Sequence, residues 1–297
     1  MTTLGGGSTV LHRPGTVGEA VASLAAEASA GRQVRLLAGG TDLVPALRAA
    51  VRGPAAIVAL RRVLELRVRG ASADTLTVGA GVTYADLEGW SLAPGLAATS
   101  RTVGSAQIRN CGTVGGALGS ANPRGDLLTF LSAADAEVLL ATAGGNRSTG
   151  IADYLRTGPD PGELVTAVRM ARPSGPQTYL KIGGRQAAFP AVVSCALLVD
   201  RVRERVCCAV GGVATGPWRV ATAERGVRDE VDWVTGTAPA AVARRFGQLV
   251  AEALRGAPPL PEDPRHPAEY RVHAGGVLAA RAFARCLGAV PGAGRSG

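Results

Sequence analysis

Two glycine-rich segments contain the residues whose types and spacing could bind an anion. The first, Ala38-Gly39-Gly40-Thr41-Asp42, lies between a predicted strand and a predicted helix, and the second, Thr113-Val114-Gly115-Gly116, begins 75 residues further on. Consecutive glycines let backbone N–H groups converge on a phosphate, and the start of a helix adds a favourable dipole. Either segment alone indicates only a tight turn. Together they indicate a pyrophosphate gripped from both sides, and Asp126 could accept a hydrogen bond from a ribose or ribityl hydroxyl.

Other motifs of the sequence are incomplete. Gly79-Ala80-Gly81 follows a predicted strand, but the third glycine of a G-x-G-x-x-G fingerprint is replaced by Tyr84, so we interpret the motif as a strand-end turn. No Ser/His/Asp or Cys/His set is present, which argues against a hydrolase. The three histidines, at positions 12, 266 and 273, have surroundings typical of surface or structural residues.

The five cysteines have no spacing typical of a metal site or a disulfide framework. They lie at positions 111, 195, 207, 208 and 286, an odd number without a C-x-x-C pair. The sequence therefore predicts no zinc or iron–sulfur site held by this chain alone. Free thiols are typical of a reducing cytoplasm.

The basic residues are almost all arginine. The formal net charge is +9, and of the 32 basic residues only Lys181 is a lysine. Aromatic residues are 4% and none interleaves with a basic run, which argues against nucleic-acid binding. A basic surface could instead meet an anionic cofactor or an acidic protein partner. The single lysine either occurs by chance in an arginine-rich chain or marks a site where arginine cannot replace it.

The length and the pattern of elements favour two domains. The chain has 297 residues, of which 46% are hydrophobic, and no apolar run is long enough to span a bilayer. The N-terminus lacks the features of an export signal. A breaker cluster at 172–176 is the predicted domain boundary. Predicted helices cover 16–30, 43–51, 96–111, 126–133, 238–255 and 267–288, and another begins near Thr83. Predicted strands cover 33–37, 56–60, 64–68, 75–78, 136–141, 164–170, 177–182, 191–199 and 206–213, with a turn at 144–148.

Three motifs resemble one known family. They are LLAGGTDLVPALR (36–48), QIRNCGTVGGALGSANPRGDLL (107–128) and TYLKIGGRQAAFPAVVS (178–194), and the likeness covers nearly the whole chain. The sequence is similar to the FAD-binding (medium) subunit of the molybdenum hydroxylases, such as xanthine dehydrogenase and carbon monoxide dehydrogenase. The resemblance implies an α+β fold. A vanillyl-alcohol-oxidase or PCMH-type FAD-binding domain would cover 1–172, in lobes of about 1–62 and 63–172. A C-terminal α+β domain, an antiparallel sheet with helices, would cover 173–290, followed by a flexible tail at 291–297.

The resemblance also implies a set of FAD-binding positions. Asp126 corresponds to the acidic residue that binds the FAD sugar region, Lys181 to a lysine that contacts FAD, and Phe189 to a residue beside the isoalloxazine. The complete set is Ala38, Gly39, Gly40, Thr41, Asp42, Val103, Thr113, Gly115, Gly116, Ala117, Asp126, Val165, Lys181 and Phe189. Three residues depart from the family pattern: Ala117 in place of the usual Asn, Asn122 in place of Ser, and Cys111 in place of a larger or apolar residue.

The resemblance implies a role in electron transfer. FAD would take electrons from the [2Fe–2S] clusters of a small subunit, in a complex whose large subunit binds molybdopterin, and pass them to NAD⁺, a quinone or O₂. We expect a cytoplasmic dimer of heterotrimers without a membrane span and with no catalytic or metal-binding side chain on this chain. A stand-alone FAD-dependent oxidoreductase and a flavin-binding protein without turnover are the alternatives.

Overall fold

A computed structural model describes residues 2–4, 7–50, 53–184 and 190–288. The chain divides into two compact units. The first unit contains Met1–Gly89, Gly104–Ala121 and Asp135–Arg172, and the second contains Trp90–Val103, Asn122–Ala134 and Pro173–Gly297. Each unit is described separately below.

The first unit has nine strands, six α-helices and two short 3₁₀ helices among its described residues. The strands are β1 (Thr2–Leu4), β2 (Gly7–His12), β3 (Val34–Leu37), β4 (Ala56–Ala59), β5 (Arg69–Ala71), β6 (Thr75–Gly79), β7 (Glu137–Thr142), β8 (Gly145–Gly150) and β9 (Leu164–Ala171). The helices are α1 (Val17–Ser29), α2 (Leu43–Ala49), α3 (Tyr84–Glu88), α5 (Ala106–Cys111), α6 (Val114–Ser120) and α8 (Ile151–Thr157). Helices α4 and α7 belong to the second unit.

A small, mainly parallel sheet holds the first glycine-rich loop. Its strand order is β1-β2-β4-β3, and β4 pairs in parallel with both β2 and β3. Helix α1 covers one face, where Ala20, Val21 and Leu24 pack with Val58 of β4. Thr16 caps this helix by accepting a hydrogen bond from the backbone N–H of Glu19. Strand β3 leads directly into the loop that begins at residue 38.

The second sheet of this unit is antiparallel, with the order β5-β6-β9-β7-β8. Its core includes Leu76 and Val78 of β6 and Val168 of β9, all at most 1% exposed. The pairing of β7 with β9 shifts between Leu139 and Leu140, which is a β-bulge. The turn after β6 confirms the strand-end interpretation of residues 79–81.

The second unit is an antiparallel sheet with helices on it. Its elements are α4 (Pro94–Arg101), α7 (Asp126–Ala133), β10 (Gln177–Ile182), β11 (Val193–Asp200), β12 (Arg205–Gly211), β13 (Trp218–Arg219), α9 (Ala221–Arg225), α10 (Ala240–Arg255) and α11 (Ala268–Leu287). The strand order is β10-β11-β12-β13. Alternate residues of β11 and β12, such as Val193, Leu197 and Val210, pack with α10 and α11 residues in a single core. Helix α7 also packs on β11 and β12.

Three predicted elements are wrong. Residues 96–111 are not one helix: α4 ends at Arg101 and α5 begins at Ala106, because Gly104 has a φ of +49° that no continuous helix allows. Residues 64–68 form a 3₁₀ helix (Leu64–Arg67) rather than a strand. Residues 144–148 contain most of strand β8 rather than only a turn.

The domain boundary near residue 172 stays a prediction, as does the tail, whose residues lie outside the described part of the chain. Among the described residues, no helix is both long and apolar enough to cross a bilayer.

Candidate functional site

The loop after β3 presents backbone donors that have no acceptor. The N–H groups of Gly39, Gly40, Thr41 and Asp42 donate to nothing within the described part of the chain. Gly40 has a φ of +75°, a left-handed conformation that favours glycine. The carbonyl of Gly40 accepts from Val44 at 3.0 Å, so helix α2 begins directly behind the loop. Four consecutive N–H groups without an acceptor before a helix are groups that an anion could use.

The two glycine-rich segments come into contact in the first unit. A Cβ atom on Gly39 would lie 1.8 Å from the carbonyl oxygen of Cys111 and 3.1 Å from the backbone nitrogen of Gly112. Only glycine allows this approach of one backbone to another. The tight packing places the first loop beside the residue that immediately precedes Thr113.

The second segment has fewer donors to offer a ligand than its sequence indicates. The Val114 N–H donates to Val82 O at 3.0 Å, the Gly115 N–H to Ala80 O at 2.8 Å, and the Gly116 N–H to the Thr113 Oγ1 at 3.0 Å. Thr113 therefore caps helix α6, and its own hydroxyl proton remains a donor. The Ala117 N–H is also used, by the Thr113 carbonyl. A contact of this segment with pyrophosphate stays a prediction.

A buried cluster of polar side chains surrounds Asp126 in the second unit. Asp126 lies in the first turn of α7 and is 7% exposed. Tyr179 and Lys181 are two residues apart on β10, so both side chains leave the same face of the strand. Leu180 and Ile182, on the opposite face, pack against the core under α10 and α11. The alternation of the strand therefore directs the only lysine of the chain toward Asp126.

Three donors hold the Asp126 carboxylate. Lys181 Nζ lies 2.6 Å from its Oδ2, and the Tyr179 hydroxyl donates to its Oδ1 at 2.7 Å. Thr102 Oγ1 lies 2.9 Å from the Oδ2, and its single proton is shared with the Thr99 carbonyl at 2.7 Å. Lys181 Nζ also donates to the Thr102 carbonyl at 2.7 Å. An ionised carboxylate has about four acceptor positions, so about one remains for a further donor. Burial and the charge of Asp126 raise the pKa of Tyr179 well above its usual value, although a hydrogen bond with Ser194 opposes the change.

Sequence reasoning missed Tyr179 and Thr102. The signal for Tyr179 was its spacing of two residues from Lys181, which in a strand means a shared face. Thr102 could not be found because the predicted helix 96–111 runs through it. The residue is in fact the C-cap of α4, where the chain leaves the helix.

The structure describes three of the other predicted positions. Val103 follows the end of α4, and its N–H donates to the Ser100 carbonyl. Val165 is a buried residue of β9 opposite Leu140, next to the β-bulge. Ala117 lies inside α6. Phe189 lies outside the described residues.

Comparisons with known proteins identify the family. Residues 7–173 match the model of the FAD binding domain in molybdopterin dehydrogenase. The chain belongs to this family. The carbon monoxide dehydrogenase medium chain of Afipia carboxidovorans is 30% identical over 293 residues, 94% of this chain and 96% of that one. The glyceraldehyde dehydrogenase medium chain of Sulfolobus acidocaldarius is 33% identical over 204 residues, 65% of this chain and 73% of that one.

Solved structures agree with this assignment. The reconstituted CO dehydrogenase from Oligotropha carboxidovorans has a chain with a TM-score of 0.80 and 27% identity, covering 94% of this chain and 98% of that one. The Cu,Mo-CO dehydrogenase in its cyanide-inactivated form has a TM-score of 0.80 and 26% identity, with the same coverage. The resemblance and the α+β fold class are thus confirmed. The chain is an FAD-binding medium subunit of the molybdenum hydroxylases, which are oxidoreductases.

The residues of each unit fit the chemistry of FAD. In the first unit, the unsatisfied N–H groups of residues 39–42 match the acceptors of a pyrophosphate. In the second unit, Asp126 keeps about one acceptor position for a hydroxyl group. Each group of residues is complete within its own unit.

Proposed function

We propose that this subunit transfers electrons within a molybdenum hydroxylase complex, from the [2Fe–2S] clusters of a partner subunit to NAD⁺ or another acceptor. The observation that carries the proposal is the row of four unsatisfied N–H groups at residues 39–42, because an anionic cofactor is the ligand that such a row binds best. When bound, FAD supplies the chemistry that accepts electrons one or two at a time.

The chain's own residues bind and orient the cofactor. The loop at residues 39–42 donates hydrogen bonds to the pyrophosphate, and Gly40 supplies the left-handed backbone conformation of this loop. Asp126 accepts from a hydroxyl of the sugar or ribityl part, while Lys181 balances its charge in a buried setting. Electron transfer requires no general acid or base from these residues, and we assign none of them a catalytic role.

The first experiment measures binding of FAD to the purified chain. We expect the flavin to bind with about one equivalent per chain and to be released by Gly40→Val, because a branched side chain is strained at this φ. Gly150→Ala is the matched control, since a Cβ there meets no atom within 4 Å and the φ is −64°. A chain that binds no flavin, or a Gly40→Val variant with full flavin content, would contradict the proposal.

The second experiment concerns the acceptor. The FAD-loaded chain is mixed anaerobically with NADH in one sample and with a reduced quinone in another, and the visible absorbance of the flavin is followed. Bleaching of the flavin by NADH supports exchange of electrons with NAD⁺, whereas bleaching by a reduced quinone alone identifies a quinone as the acceptor. Robust turnover of a small metabolite without any partner subunit would favour the stand-alone oxidoreductase instead.

A further inference from the structure

An exposed segment of the first unit has a pattern that its own fold does not require. It contains two short 3₁₀ helices, Leu60–Arg62 and Leu64–Arg67. A 3₁₀ helix has three residues per turn, so side chains three apart lie on one side of it. Val63 and Leu66 are 1% and 2% exposed, whereas Leu64 is 68% exposed. The period of three separates a buried side from an exposed one.

The exposed side combines arginine with apolar residues. Val68, at the end of the segment, is 59% exposed. We call the exposed group the basic strip, and it consists of Arg61, Arg62, Leu64, Arg67, Val68 and Arg69. Arginine around exposed apolar side chains is the composition that protein interfaces favour.

The backbone under the basic strip is firmly held. Gly79 donates to the Val68 carbonyl at 2.8 Å, and Gly81 donates to the Leu66 carbonyl at 2.7 Å. A Cβ on Gly79 would lie only 2.2 Å from the Leu66 oxygen, so the segment packs directly against the backbone of the sheet. A surface that is ordered in advance loses little conformational entropy when a partner binds.

The charges of Arg61 and Arg62 are not neutralised by an ion pair within the described residues, whereas Arg67 and Arg69 lie near the carboxylate of Asp86, and Arg69 also donates to the Asp86 carbonyl. Glu65, the acidic residue of the segment, accepts a hydrogen bond from the backbone N–H of Val17 at the start of α1. The Arg67 guanidinium donates to the Arg61 carbonyl at 3.0 Å, which keeps its charge at the surface. The basic strip therefore presents an excess of positive charge around Leu64.

We propose that the basic strip is a docking surface for an acidic face of a partner subunit, with Leu64 and Val68 entering an apolar patch ringed by carboxylates. Charge complementarity carries the choice of partner, because unpaired arginines attract a carboxylate-rich surface and repel a second copy of themselves. The inference rests on the proposed function, in which this chain works beside other subunits.

The test reverses the charge of the two unpaired arginines. The tagged chain is expressed in its own host as wild type and as Arg61→Glu/Arg62→Glu, and the co-purified subunits are quantified by mass spectrometry, iron and molybdenum. Flavin content is measured on the same samples. We expect the double variant to keep its flavin and its unfolding temperature but to retain partner subunits at least about tenfold less well. Raising the salt from about 0.05 to about 0.5 M should weaken the wild-type complex more than that of the variant.

The matched control is Arg244→Glu/Arg281→Glu, which makes the same change of net charge at exposed positions of α10 and α11. The control should retain the partners. The proposal is overturned if the strip variant retains them at wild-type levels, if the control loses them equally, or if the variant loses only self-association. A wild type that lacks flavin or that co-purifies no iron- or molybdenum-containing subunit would contradict the proposed function instead, so the two failures can be told apart.

Discussion

In the proposed function, the loop at residues 39–42 and the cluster around Asp126 bind FAD by opposite means. In the loop, the groups that would contact the ligand are backbone N–H groups. The loop also requires a residue without a side chain at position 39, because a Cβ there would lie 1.8 Å from the Cys111 oxygen. In the cluster the useful groups are side chains, and a carboxylate holds three donors at 2.6 to 2.9 Å. A site of the first kind is destroyed by one added carbon, whereas a site of the second kind loses its contacts one by one.

This difference predicts the order in which substitutions act. Additions in the loop should remove binding almost completely, because backbone cannot move aside for them. Deletions in the cluster should have graded effects that depend on charge, because a buried carboxylate needs its cation more than it needs a neutral donor.

The largest effect is expected for Gly39→Ala. The added methyl would overlap the Cys111 carbonyl, so the loop and the start of the second segment must separate. We expect the affinity for FAD to fall by more than about 100-fold and the free energy of unfolding to fall by about 3 kcal/mol. Flavin titration and urea unfolding measure the two quantities.

Gly150→Ala is the control for Gly39→Ala, because its Cβ would meet no atom within 4 Å. It should bind FAD as wild type does. Wild-type affinity in Gly39→Ala would show that the loop does not need the close contact with Cys111, and the contrast between the two sites would disappear.

The loop could be predicted from sequence and the cluster only in part, for a physical reason. Glycine has one use at Gly39 and Gly40, which is to allow a backbone conformation or approach that other residues forbid, so its presence is informative by itself. The same is not true of Tyr179 or Thr102. A tyrosine in a strand is common, and its hydrogen bond to Asp126 depends on which face of β10 meets α7, which only the tertiary structure decides.

The secondary structure of residues 64–68 was predicted wrongly, because their apolar residues are compatible both with the two-residue period of a strand and with the three-residue period of a 3₁₀ helix. Leu64, Leu66 and Val68 alternate with charged residues, which predicts a strand. The structure instead buries Val63 and Leu66 and exposes Leu64, a period of three. The longer elements of the second unit agree with the prediction, because β11 is a continuous buried apolar run and the buried residues of α11 recur with a helical period.

A smaller effect on FAD affinity than that of Gly39→Ala is expected when the cation of the cluster is changed. Lys181→Met leaves Asp126 buried with only two neutral donors, and we expect a loss of about 3 kcal/mol in unfolding free energy together with weaker FAD binding. Lys181→Arg keeps the charge but puts a larger, planar group where the Nζ contacts both Asp126 and Thr102, so we expect a loss of about 1 kcal/mol. Urea unfolding and flavin titration distinguish the three proteins.

A double variant tests whether Lys181 acts through Asp126. Asp126→Asn/Lys181→Met removes both charges and should be more stable than the sum of the single changes predicts. Additive effects would mean that the two charges do not depend on one another. If Lys181→Arg binds flavin as tightly as wild type, position 181 does not require lysine, and the single lysine of this arginine-rich chain has no specific role.

A smaller effect than that of Lys181→Met is expected for Tyr179→Phe, which removes one donor from Asp126 and leaves the ion pair with Lys181 in place. We expect a loss of about 1.5 kcal/mol near neutral pH, the usual cost of a hydrogen bond to a charged group. The dependence of the unfolding free energy on alkaline pH provides a second measurement. Because folding raises the pKa of Tyr179, its contribution is present below the pKa of an unfolded tyrosine, about 10, and is lost as the pH rises above that value.

Wild type should therefore lose stability above pH about 10 more steeply than Tyr179→Phe, which has no group to ionise at this position. Urea unfolding at a series of alkaline pH values measures the two slopes. Equal slopes would mean that the hydroxyl of Tyr179 reaches water in the folded chain, and the cluster would then be no more enclosed than the half-buried loop it is compared with. A steeper wild-type slope, with flavin affinity reduced less than in Lys181→Met, would show that the cluster loses its function one contact at a time.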